Sequence, residues 1–185
     1  MIPRLVVVTD RAQLRLGRGL VRTVVECVDA GLTHVLVREL DLPPGQRAAL
    51  IGELAAVDGL TVWSAHTAVR GATGVHVPAT GQPPSRGEWG RSCHSRADVA
   101  AAAAEGARWA TLSPYADSTS KPGRRLLDPG QYADPHLPVL ALGGITAANA
   151  GDAVAAGAHG VAVMGAVMRA AEPAAVVAQL RAVIP

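Results

Sequence analysis

The feature that most limits what this chain can fold into is an alternation. Eight short apolar runs rich in Val, Ile and Leu recur along it, at residues 5–9, 34–40, 60–64, 74–77, 91–93, 108–113, 139–142 and 160–164. Longer Ala/Leu/Arg segments with helical spacing lie between them, clearest at 19–30, 44–57, 95–106, 146–156 and 172–183. Continuous apolar strands joined by helices predict a parallel sheet buried on both faces. Eight such units predict a small α/β domain, a (β/α)8 TIM barrel spanning residues 1–185 as a single domain, at about 23 residues per unit. An open doubly wound sheet is the alternative. The connections at 67–73 and 78–89 are rich in Gly and Pro, so their helices should be truncated. Ser95 and Asp98 have the spacing of a helix N-cap, and Gly106 and Gly157 read as helix stops.

Composition narrows the function. With 49% hydrophobic and 17% charged residues in 185, the chain can bury one substantial core, which excludes disordered and collagen-like classes. A net charge of +2 gives no footprint for nucleic acid or a membrane surface. The apolar run near the N-terminus is too short for a signal peptide or a span, so a cytoplasmic location is expected. Cys27 and Cys93 lie far apart and suggest no disulfide framework. No HxH, HExxH or Cys/His cluster exists, so no zinc site is expected. Of the 17 basic residues only Lys121 is lysine, and Asn149 is the sole Asn, while Phe is absent. A GC-rich genome accounts for these scarcities, and it leaves open why Lys121 is not Arg.

In such a barrel the chemistry sits at the C-terminal ends of the strands. Glycine turns follow strands seven and eight, at Gly143–Gly144 and at Gly165, the two places where phosphate commonly binds. Tight strand-to-helix turns are the plainer explanation of the same glycines. The segment after strand six holds Ser118, Thr119, Ser120 and Lys121, with Arg124 and Arg125 beyond. It reads equally as an anion-gripping loop or as a solvated one. His66 and His94, after strands three and five, are candidate acid–base groups. His76, inside an apolar strand, reads as a satisfied core residue, and His34, His136 and His159 as surface residues. Asp10, Glu39 and Asp117 are candidate bases.

At these residues the chain resembles the thiamine phosphate synthase/TenI superfamily. The matching segments are VVVTDR, VLVREL, GVHV, GRSCHS, SPYADSTSK, LALGGI and GVAVMGAV, and they cover nearly the whole chain. The resemblance implies that Ser118, Ser120 and Lys121 hold a pyrophosphate, matching a Thr-x-Thr-Lys loop. It places Arg38 at the arginine of a Gln-Leu-Arg-x-Lys strand and Ser92 at the serine of strand five. Gly143, Gly144, Met164 and Gly165 fall at the backbone site for a thiazole phosphate. The partner it implies is a small phosphorylated heterocycle; a homo-oligomer is a separate expectation.

The departures from the pattern carry information. Leu36 and Leu40 replace the Gln and Lys that flank the arginine. Ser64 and Ala65 stand where the synthase has Asn-Asp, and PATGQPP has no aspartate where the synthase has its second one. Those aspartates are magnesium ligands, and magnesium neutralises a pyrophosphate leaving group. The pattern therefore points to the TenI-like branch: a metal-free tautomerase of a thiazole phosphate, with no cofactor. A true synthase using magnesium and a non-catalytic regulatory barrel are the alternatives. In the tautomerase reading His66 or His94 moves the proton, and Arg38 and Lys121 stabilise negative charge. Pro114 replaces the histidine thought to shuttle protons in that branch.

Overall fold

A computed structural model of the chain describes residues 1–15, 17–117, 123, 125–133 and 135–184. Its strands are β1 (Leu5–Val8), β2 (His34–Val37), β3 (Thr61–Ala65), β4 (Gly74–Val77), β5 (Glu88–Cys93), β6 (Trp109–Leu112), β7 (Val139–Leu142) and β8 (Gly160–Val163). Each pairs in parallel with the next, and β8 closes on β1 through Leu5 opposite Val161 and Val7 opposite Val163. The sheet is a closed (β/α)8 barrel, which rules out the open alternative. Closure matters because it leaves no strand edge to pair with another chain.

The helices are α1 (Leu20–Asp29), α2 (Pro44–Ala55), α3 (Arg96–Ala104), α4 (Ala150–Ala155), α5 (Gly165–Met168) and α6 (Pro173–Val183). The Gly/Pro content of the connections between β3 and β4 and between β4 and β5 predicts truncated helices, and the structure goes further: no helix is assigned there among the described residues. Ser95 caps α3 as its spacing suggests: its Oγ accepts the Asp98 amide at 3.1 Å, and Asp98 Oδ2 accepts the His94 amide at 2.9 Å. Among the described residues no helix is long and apolar enough to cross a membrane. Cys27 and Cys93 are free thiols, and burial pushes both up to about 12.

Alternate residues of each strand face inward, and the inward set makes a core of its own. It comprises Val6, Val8, Leu36, Trp63, Ala65, Trp109, Leu140 and Ala162. The Trp63 and Trp109 rings stack at 3.9 Å between centroids, tilted by 17°. A Cβ on Gly90 would collide with the Trp109 indole, so glycine there makes the room that the ring fills. The outward faces of the strands, with α1, α2, α3 and α6, form the second and larger core.

One polar cluster sits inside the barrel. The Trp109 indole N–H donates to His76 Nδ1 at 3.1 Å, while His76 Nε2 lies 3.1 Å from both Ser92 Oγ and Thr111 Oγ1. His76 is thus the satisfied core residue that its strand position suggests. Burial pulls its pKa down to about 3 and keeps it neutral. With Nδ1 accepting, Nε2 carries the hydrogen and donates to the hydroxyls. His34 departs from its surface reading: it is half-buried, in edge contact with Trp63.

Candidate active site

A cavity of about 490 Å3 opens at the C-terminal ends of the strands. Its floor comes from the interior core, through Val8, Leu142, Ala162 and Met164, and its walls from the loops. Arg38, Gly143, Gly144, Met164 and Gly165, singled out from the sequence, all line it. Asp10, Ser113, Pro114, Asp117 and Arg169 line it too. Ser118, Ser120, Lys121 and Arg124 lie outside the described residues.

The turn after β7 is tightly built. Gly143 and Gly144 both adopt positive φ, at 95° and 65°. A Cβ on Gly144 would run into the backbone of Ala116 and Asp117, so the turn slides directly beneath the β6 loop. Two backbone bonds hold that loop down, from the Tyr115 amide to Leu142 O and from the Ala116 amide to Gly143 O, both at 2.9 Å. Asn149 locks the turn from the other side: its Oδ1 accepts the Thr146 amide at 2.9 Å and its Nδ2 donates to Gly144 O at 3.0 Å. This corrects the expectation of a helix from about residue 146. Asn149 draws those residues into a turn, and α4 begins at Ala150. The Gly144, Ile145, Gly165 and Ala166 amides have no acceptor among the described residues. Free N–H groups beside a cavity suit an anion.

The β1 side of the mouth carries two side-chain networks. Glu39, 2% exposed, accepts the Arg11 amide and the Arg11 guanidinium, the latter at 2.9 Å, and Arg11 also forks onto Asp41. Arg11 holds Asp41 below the usual carboxylate range. This commitment makes Glu39 a brace between the β1 and β2 loops rather than a free base. Asp10 accepts from Gln13 Nε2 at 2.5 Å, and Gln13 Oε1 accepts from the Arg169 guanidinium.

The β2–β5 side holds the histidines, neither of which lines the cavity. His66 is exposed and has φ of 66°, a left-handed conformation that costs a non-glycine residue about 1–2 kcal/mol. Partial burial lowers its pKa, and the positive charges of Arg38 and Arg47 lower it further. His94 Nδ1 lies 3.0 Å from Ser113 O. A carbonyl only accepts, so Nδ1 carries a hydrogen. Ser92, half-buried, sits below them on the His76 cluster. Arg47 escapes a sequence reading because α2 delivers it from a distance: its guanidinium reaches Ala65 O and the Thr67 hydroxyl.

A model of the thiamine monophosphate synthase family, TMP-TENI, matches residues 65–167. The chain belongs to the thiamine monophosphate synthase family. A candidate thiamine-phosphate synthase of Geobacter sulfurreducens is 33% identical over 213 aligned residues, covering 98% of this chain and 94% of that one. A thiamine-phosphate synthase of Methanoculleus marisnigri is 40% identical over 124 residues, which is 60% of this chain and 59% of its own. The solved thiamine phosphate pyrophosphorylase of Pyrococcus furiosus shares the fold, with a TM-score of 0.85 over 98% of this chain and 95% of that one, at 22% identity.

Within this family the departures at β3 and β4 bear on magnesium. Ala65 projects into the apolar core and Ser64 Oγ donates to Thr67 O at 2.8 Å. The arginine of α2 holds the carbonyl of Ala65. Among the described residues no three His, Cys, Asp or Glu side chains converge as a metal site. A buried guanidinium beside strand ends without carboxylates does not fit a hard dication, which prefers anionic oxygens.

Proposed function

We propose that this barrel binds a phosphorylated thiazole-type heterocycle and tautomerises it without a metal. The observation that carries the reading is a pair of glycine turns, Gly143–Gly144 and Gly165, with free amides on the cavity, in a barrel whose β3 end has Arg47 on the Ala65 carbonyl and no carboxylate among the described residues. The phosphate lies against the glycine-turn amides, and the ring extends toward Arg38. Tautomerisation takes a proton from one ring position and returns one to another, so no bond other than to hydrogen changes. We assign that proton transfer first to His66, whose pKa is lowered by partial burial and by the charges of Arg38 and Arg47. His94 is the second candidate. Arg38 and Lys121 are assigned to offset the negative charge that builds on the ring, and Ser92, Ser118 and Ser120 are assigned to substrate binding from their sequence positions.

A second reading is favoured by the curated relatives, which are named thiamine-phosphate synthases. In that reading the chain joins a pyrimidine pyrophosphate to the thiazole phosphate, and Ser118, Ser120 and Lys121 grip the pyrophosphate. One experiment separates the two. The protein is given thiazole phosphate in deuterated buffer with a chelator, and tautomer and deuterium uptake are followed by NMR. A parallel sample receives both substrates and magnesium. Exchange that persists in chelator supports tautomerisation. Thiamine phosphate formed only with magnesium, without exchange, replaces it with the synthase. Binding without either product identifies a regulatory barrel.

A further inference from the structure

We infer that Arg169 is a recognition residue for the phosphate group, a reading that rests on the phosphate-binding site proposed above. Arg169 follows directly after α5 and lines the cavity. Its guanidinium lies over the Gly165 turn: a Cβ built on Gly165 would collide with Nη1, Nη2 and Cζ of Arg169. Glycine at 165 therefore admits the guanidinium against the same backbone whose amides at Gly165 and Ala166 have no acceptor among the described residues. Fixed positive charge and free N–H groups meet at one spot.

Two further observations separate Arg169 from an ordinary surface arginine. First, among the described residues no carboxylate pairs with it, whereas Arg11 across the same mouth is fully committed to Glu39 and Asp41. Second, it is aimed by an amide. Gln13 Oε1 accepts from Arg169 Nη1, and Gln13 Nε2 donates to Asp10 Oδ2. Arginine only donates and a carboxylate only accepts, so this orientation of the Gln13 amide is fixed. The amide holds the guanidinium in place and also stands between it and Asp10. Direct contact with Asp10 would neutralise the charge; an amide spacer leaves it available for a ligand. The remaining N–H groups of Arg169 suit two oxygens of a phosphate monoester, a geometry lysine lacks.

The test measures affinity by isothermal titration for three probes: thiazole phosphate, the same thiazole without its phosphate, and inorganic phosphate. Arg169→Ala should weaken thiazole phosphate about ten- to a hundredfold, the range for a hydrogen bond to a charged group. It should leave affinity for the unphosphorylated thiazole unchanged. Gln13→Ala keeps the charge but frees it, and should give a smaller loss of the same kind. Arg169→Lys keeps the charge without the fork, gives an intermediate loss, and serves if the alanine variant does not fold. Equal weakening of both thiazoles, or no weakening of either, overturns the inference and leaves Arg169 as a tie between α5 and the β1 turn. Wild-type protein that binds no phosphate probe also overturns it. Arg169-dependent binding of inorganic phosphate by a protein that ignores both thiazoles overturns the proposed substrate and supports the residue assignment.

Discussion

Gly144 makes the most exacting demand of any position in the site. Its φ of 65° and the backbone of Ala116 and Asp117 above it leave no space for a Cβ. Gly144→Ala should cost about 2–4 kcal/mol, combining left-handed strain with steric overlap. Urea unfolding would show the loss, and titration would show weakened binding of thiazole phosphate. His76 sets a second residue-scale expectation. Its pKa lies at about 3 in the fold against an ordinary 6.5. Below pH 6.5 the unfolded chain takes up a proton that the folded chain refuses. The stability held above pH 6.5 is therefore lost as pH falls toward 3, by about 1.4 kcal/mol per unit from this group. Half-buried His34, pulled down to about 4 mainly by burial, acts in the same direction. His76→Gln should lower stability at pH 7 yet flatten the slope of the urea midpoint between pH 6.5 and 4. Residues such as Gly144 and His76 could be read from position alone, because each sits at a fixed place in a βα unit. Arg169, Gln13 and Arg47 could not. Their partners lie 156 and 18 residues away, and no local pattern encodes such pairings.

At the scale of elements, the loops are rigid where side chains tie neighbouring βα units together. Glu39 does this for β1 and β2 by accepting both the backbone and the guanidinium of Arg11. Glu39→Ala leaves the Arg11 amide without its acceptor, but Asp41 and solvent still stabilise the Arg11 charge. The loss should be about 1–2 kcal/mol, read from thermal unfolding. Because Glu39 is a brace and not a base, the exchange of substrate protons in deuterated buffer should survive in the folded variant. The elements themselves were largely legible in sequence, since most strands contain a short apolar run and the absent helices coincide with Gly/Pro clusters. Two boundaries were not. β5 begins at Glu88, ahead of the run at 91–93, because Gly90 and a charged residue break the apolar signal where the Trp109 ring needs space. α4 begins late because Asn149 Oδ1 accepts the Thr146 amide and its Nδ2 donates to Gly144 O, which holds residues 146–149 in a turn.

The whole molecule depends on closing a ring whose pairings are parallel and therefore distant in sequence. β1 bonds to β8 across almost the full chain, so both of these strands keep an unpaired edge until the ring is complete. Such a topology favours a single cooperative transition over independent folding of halves. The centre of that ring is the Trp63–Trp109 stack, with Trp109 also donating to His76. Trp109 thus links the apolar interior to the polar cluster beneath Ser92. Trp109→Leu removes ring contacts on one side and leaves His76 Nδ1 without a donor on the other. It should cost about 2–4 kcal/mol from the cavity alone, with more from the unpaired nitrogen. Indole fluorescence reports side-chain packing, at Trp63 inside the ring and at Trp89 in the outer core, while far-UV circular dichroism reports the backbone of the strands and helices. In the wild-type protein their urea transitions should coincide. In Trp109→Leu both should move together to lower urea, because the interior stack and the strand pairing belong to one unit. Separate midpoints in either protein would mean that the barrel interior loosens before the sheet opens, and that its halves fold with some independence.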